Sequence, residues 1–160
     1  MDNTRREVLK AGGGMTVMTL AIAAGLIRPE EALAQSSWNK AAFETKSFAD
    51  TVKALGGPNA AENPGVRFAS PTPDIAENGA LVPVTVTSSI PKTESIAILV
   101  EKNPSALVAM FNITDSIDAA VSTRAKMGQS SDVYAVALTT DGKALFAKKE
   151  VKVTLGGCGG

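Results

Sequence analysis

Histidine is absent from all 160 residues. With it go the usual general base, the usual proton shuttle and the commonest metal ligand. Cysteine occurs once, as Cys158, so Cys-rich zinc sites, iron–sulfur clusters and intramolecular disulfides are excluded as well. Alone, the chain cannot assemble a Ser-His-Asp or Cys-His catalytic site. Net charge is also lacking: 16 Lys plus Arg face 16 Asp plus Glu, and twelve of each remain after Gln35. That balance attracts neither nucleic acid nor an anionic membrane.

Residues 1–34 have the layout of an export signal. A charged start, Thr4-Arg5-Arg6-Glu7-Val8-Leu9-Lys10, leads into an apolar stretch from Ala11 to Ile27 that contains Gly12, Gly13 and Gly14. Ala32-Leu33-Ala34 then precedes Gln35 and fits cleavage after Ala34. Arg5 and Arg6, followed by an apolar pair and a lysine, resemble the twin-arginine signal, which exports proteins already folded. The expected location is the periplasm. A membrane anchor is the rival reading, and the short, glycine-rich apolar run followed by Ala-x-Ala weighs against it.

The remainder is long enough for one domain with one core. Trp38, Ala41, Ala42, Phe48, Val52 and Leu55 recur at helical spacing until Gly56-Gly57-Pro58 stops the pattern, so an amphipathic helix is expected within 35–57. Its apolar stripe could cover the domain's own core or a partner. From residue 58 to 155 the period changes to alternation, most clearly in Leu81-Val82-Pro83-Val84-Thr85-Val86-Thr87. Further strands are expected at Val66 to Ala69, Ser95 to Glu101, Leu107 to Ile113, Ser122 to Met127, Asp132 to Thr139 and Ala144 to Thr154. Asp141-Gly142 reads as a hairpin turn between the last two. About seven short strands without intervening helices imply a mainly β fold, an immunoglobulin-like antiparallel β-sandwich. A small barrel is the alternative.

The chain closes on Gly156-Gly157-Cys158-Gly159-Gly160, residues 156–160, directly after the last strand. Glycine has no Cβ, so this arm has almost no width and can take nearly any backbone path. Three extended residues carry the Cys158 thiol about 10 Å beyond Leu155. A thiolate bonds reversibly to sulfur, forming mixed disulfides, persulfides or S-sulfonate adducts. The local sequence puts no cation next to Cys158, because Lys148, Lys149 and Lys152 lie upstream on the strand. The residue therefore reads as a handle for covalent attachment and not as a catalyst. A frayed terminus bearing an interchain-disulfide cysteine is the bland alternative.

The terminal Val151-Lys152-Val153-Thr154-Leu155-Gly156-Gly157-Cys158-Gly159-Gly160 resembles the signature tail of the SoxY family, the sulfur-carrier subunits of the bacterial Sox thiosulfate-oxidising system. Asn78 to Val86, Ile98 to Pro104 and Ser122 to Met127 are similar to the family pattern too. The resemblance implies an immunoglobulin-like, non-catalytic carrier that pairs with a second small β-protein, SoxZ. It implies covalent sulfur attachment at Cys158, with Gly156, Gly157, Gly159 and Gly160 forming the carrier arm. It further implies transient visits to the SoxXA cytochrome, the SoxB hydrolase and the SoxCD sulfur dehydrogenase, whose haem, manganese and molybdenum leave this chain with no cofactor of its own. Two other readings compete: a ubiquitin-like sulfur carrier using the terminal Gly159-Gly160, and a β-sandwich binding module whose tail is a linker.

Overall fold

A computed structural model describes residues 39–57, 59–114 and 116–156. Arg5, Arg6 and the expected cleavage after Ala34 lie outside the described residues, as do Gly157, Cys158, Gly159 and Gly160. Among the described residues no helix is long and apolar enough to cross a membrane.

The expected single helix is two. Helix α1 is Lys40–Phe43 and α2 is Phe48–Ala54. Local hydrogen bonding separates them: Thr45 Oγ1 donates to the Ala42 carbonyl at 2.6 Å, and Ser47 Oγ caps α2 by accepting the Asp50 N–H at 3.1 Å. Short hydroxyl side chains compete with the helical ladder and favour caps. Of the expected stripe, Ala42, Phe48, Val52 and Leu55 pack on the domain's own sheet, joined by Phe43, whereas Ala41 is exposed and Trp38 lies outside the described residues.

The strands are β1 (Ala60–Glu62), β2 (Val66–Ala69), β3 (Ile75–Asn78), β4 (Val82–Ser88), β5 (Thr93–Val100), β6 (Leu107–Asn112), β7 (Ala120–Ala125), β8 (Ser131–Thr139) and β9 (Ala144–Leu155). They form two sheets and not a barrel: six strands in the order β1-β9-β8-β5-β6 with β3 also on β9, and three in the order β2-β4-β7. A 3-10 turn, Gly79–Leu81, links β3 to β4. All seven expected strands are present, and their pairing with one another is antiparallel. Strands β1 and β3 are additional, and both pair in parallel along one side of β9. Three and four residues long, in a segment rich in Pro and Asn, they have too little alternation to register as strands.

The large sheet is buried on both faces, which explains the near-continuous apolar runs of β5 and β8. Ile96, Ile98 and Val100 face the small sheet with Val133, Ala135 and Ala137, opposite Val82, Val84 and Val86. The alternate residues Ala97, Leu99, Tyr134, Val136 and Leu138 face the helices. Each fully buried Val or Ile contributes roughly 1.5–3 kcal/mol relative to exposure. On the helix side Phe48 stacks on Tyr134 at 4.2 Å between ring centroids and meets Phe146 edge-on at 5.0 Å.

Tyr134 Oη donates to Glu101 Oε2 at 3.1 Å. Burial, and then the neighbouring Glu101 carboxylate, disfavour the phenolate and push this phenol up to about 12. Between the ordinary tyrosine value of about 10 and that value, the unfolded chain releases a proton that the folded chain retains, so stability falls as pH rises through this window. Below it the contribution is complete. Because Tyr134 is the chain's one tyrosine, phenolate absorbance of the native protein reads it directly. Ionisation is expected well above pH 10, and an unshifted titration curve would contradict the burial argument.

Candidate functional site

The site is the end of strand β9, where the expected arm begins. Strand β9 runs beside β8 only as far as the Ser131–Val151 pair. Beyond it other elements hold the strand. The Val153 N–H donates to Ser130 Oγ at 2.9 Å, and Thr154 Oγ1 donates to the Glu77 carbonyl at 2.9 Å. Parallel pairing with β3 sets Ala76 beside Val153 and Asn78 beside Leu155. The strand is thus gripped from the β7–β8 loop on one side and from β3 on the other. That loop is itself fixed, since the Met127 N–H donates to the Gly79 carbonyl at 2.7 Å and the Met127 side chain is fully buried.

Gly156, the first residue of the expected arm, lies against this loop. A Cβ built on it would collide with the Gly128 carbonyl oxygen. Position 156 therefore demands glycine for space, a reason distinct from the flexibility read in the sequence. Leu155, just before it, is 62% exposed.

Gly128 also borders an open cleft of about 610 Å³, lined by Lys102, Asn103, Pro104, Lys126, Gly128 and Gln129. Two loops distant in sequence form it. Asn103 Nδ2 donates to the Lys126 carbonyl at 2.7 Å, and the Lys102 N–H donates to Ser131 Oγ at 3.0 Å. A thiolate or sulfonate brought into this cleft meets two ammonium groups, and opposite charge favours the ionised form. The upstream lysines differ: Lys148 pairs with Asp132 at 3.3 Å and Lys149 with Asp74 at 3.0 Å. Lys102 and Lys126 escape a sequence reading because only the fold places them on one rim. In the sequence Lys102 simply follows the expected strand Ser95 to Glu101, and Lys126 lies within the expected strand Ser122 to Met127, so nothing joins them.

Among the described residues no cluster of three or more His, Cys, Asp or Glu is placed to hold a metal ion. The site offers a firmly seated strand end at Leu155, followed three residues on by Cys158, and three residues of extended chain span about 10 Å.

A family model described as "Sulfur oxidation protein SoxY" matches residues 40–158. Among solved structures, the sulfur carrier protein SoxY from Chlorobium limicola f. thiosulfatophilum is similar to this chain with 35% identity and a TM-score of 0.57. The match covers 66% of this chain and 96% of that one. A superoxide reductase (neelaredoxin) variant from Ignicoccus hospitalis is similar at 17% identity, with a TM-score of 0.47 over 55% of this chain and 78% of that one. No curated protein sequence matches the chain.

Proposed function

We propose that this chain, which belongs to the SoxY family of sulfur-oxidation carriers, holds thiosulfate-derived sulfur covalently on Cys158 and presents it to partner enzymes in the periplasm. The observation that carries the reading is the arm base. Strand β9 is held by Ser130, Glu77 and β3 up to Gly156, and the family match extends through Cys158. A rigid base and a slender end suit a tether that is threaded into narrow sites, since the anchored strand fixes where the thiol starts and the glycines let it turn.

Attachment is a two-electron oxidation. The Cys158 thiolate and thiosulfate join through a new S–S bond, giving Cys–S–S–SO₃⁻, and the electron pair leaves to a c-type cytochrome of the SoxXA kind. Water then releases sulfate in a SoxB-type hydrolase, leaving a persulfide on Cys158 and two protons. A SoxCD-type dehydrogenase oxidises the remaining sulfur where that enzyme is present. A SoxZ-type subunit completes the carrier. With no histidine in the chain, the tether is this protein's contribution and the catalysis belongs to the partners.

Intact-mass analysis of the protein from cells grown on thiosulfate tests this. Mass increments of sulfur and of S–SO₃ are expected, mapping to the peptide containing Cys158 and removed by thiol reductant. A free thiol under every growth condition would sink the proposal.

A further inference from the structure

The two loops that form the cleft beside Gly156 are held in place without any ligand. Asn103 Nδ2 ties one loop to the other through the Lys126 carbonyl at 2.7 Å. The Asn103 N–H donates to the Val100 carbonyl at 3.2 Å and the Glu101 N–H to the Asp132 carbonyl at 3.1 Å, which fastens the first loop to β5 and β8. A cleft already formed spares an occupant the cost of ordering it.

Its charge is one-sided. The lining contains two exposed lysines, an exposed glutamine and no carboxylate. Among the described residues the ion pairs are those of Lys40, Lys143, Lys148 and Lys149, which leaves Lys102 and Lys126 without a carboxylate partner. Two nearby carboxylates are engaged elsewhere: Glu101 accepts from the Tyr134 hydroxyl, and Asp132 pairs with Lys148. Like charges sharing a small cleft repel, and an anion placed between them relieves that repulsion.

Such an anion is within reach on the same chain. Gly156 lies against Gly128, which lines the cleft. Cys158 follows two residues on, about 7 Å of extended chain. In the thiosulfate adduct two S–S bonds of about 2 Å each carry the sulfonate beyond the cysteine sulfur. A group on a short flexible linker acts at an effective concentration in the millimolar range, so two exposed lysines that hold a free sulfonate weakly suffice for a tethered one.

We infer that the cleft between Lys102 and Lys126 docks the sulfonate end of the S-thiosulfonate carried on Cys158 of the same chain. The inference rests on covalent loading of Cys158. Three sulfonate oxygens accept from the two ammonium groups and from the Gln129 side-chain amide. A free thiol is mainly uncharged at neutral pH and has no acceptor oxygen, so the unloaded arm lacks this hold. Docking therefore depends on what the arm carries, and a partner that takes the sulfonate must outcompete two lysines.

Tetrathionate loads the thiol without an enzyme: the Cys158 thiolate attacks an inner sulfur, forms Cys–S–S–SO₃⁻ and releases thiosulfate. Intact mass reports the loading, and amide shifts of the ¹⁵N-labelled chain report the cleft. The Lys102 and Asn103 amides are expected to shift on loading, independently of protein concentration. They should stay in place when methyl methanethiosulfonate leaves a neutral Cys–S–S–CH₃ group. The shifts should fall at least about threefold in the double variant Lys102→Gln, Lys126→Gln, and likewise in about 0.5 M salt. Both lysines are exposed, so the double variant keeps the core intact. A fully loaded chain without these shifts, equal shifts with the neutral adduct, or shifts that survive the double substitution overturn the docking and leave the carrier reading standing. A chain that gains no mass overturns both. Thiosulfate added to the Cys158→Ser chain separates the tethered ligand from the free one. No response, or saturation only above about 1 mM, supports the tethered site, whereas saturation below about 1 mM makes the cleft a site for free thiosulfate and overturns the proposal.

Discussion

Replacing Cys158 with alanine is expected to abolish sulfur loading completely, with no residual fraction. The chain has one thiol, and hydroxyl, amine and carboxylate groups do not form the exchangeable S–S bond that attachment requires. No second site can therefore take a partial load. The same variant should fold normally, because the described core is built from residues between Ala42 and Val153. Its melting temperature should stay within about 1 °C of the parent, as for substitutions away from packed features. Intact mass after incubation with thiosulfate and the oxidising partner reads the first expectation, and a thermal melt reads the second. Sulfur increments persisting on the alanine variant would mean that the carrier site lies elsewhere.

Gly156→Val is expected to have the next largest effect, and for a different reason from substitutions farther along the arm. A Cβ at residue 156 runs into the Gly128 carbonyl oxygen, a backbone atom with no rotamer to escape into. Relief requires either the arm base or the 128–131 loop to move. Moving the loop strains the Ser130 contact to Val153 and the Met127 contact to Gly79. Overpacking of this kind costs about 1–3 kcal/mol. Sulfur transfer should slow by more than about tenfold as the thiol starts from a displaced base, in keeping with the sensitivity of reacting groups to small misplacements. Gly157→Val is expected to slow transfer by stiffening and thickening the arm while leaving stability unchanged. Denaturant unfolding together with single-turnover transfer separates the two. Equal stability losses in both variants, or none in either, would remove the distinction between a spatial requirement at 156 and a flexibility requirement beyond it.

Much of the fold was legible because its signals are local. Alternation in Val82 to Ser88 places Val82, Val84 and Val86 on one face, and those three are fully buried. Asp141-Gly142 turns the chain between β8 and β9, with Gly142 at φ +78°, a conformation that favours glycine. The aliphatic runs of β5 and β8 marked strands, although their burial on both faces became evident only once the helices were seen to cover one of them. The helix period identified Ala42, Phe48, Val52 and Leu55 as inward-facing, but it also included the exposed Ala41 and missed the break at Thr45-Lys46-Ser47. Periodicity measures which side is buried, and hydroxyl caps decide where the backbone stops.

The sequence by itself determined the chemistry of this protein: one thiol, no histidine, and glycines around Cys158 at the chain end. Those facts need no neighbours, because they concern which atoms are present and how freely their backbone turns. Tertiary structure decided everything that depends on distant residues meeting. It put β3 and Ser130 on either side of the last strand, wedged Gly156 against Gly128, and brought Lys102 and Lys126 to one cleft beside the arm base. Parallel pairing and loop-to-loop contacts join residues tens of positions apart, and no local period in a sequence records such partners.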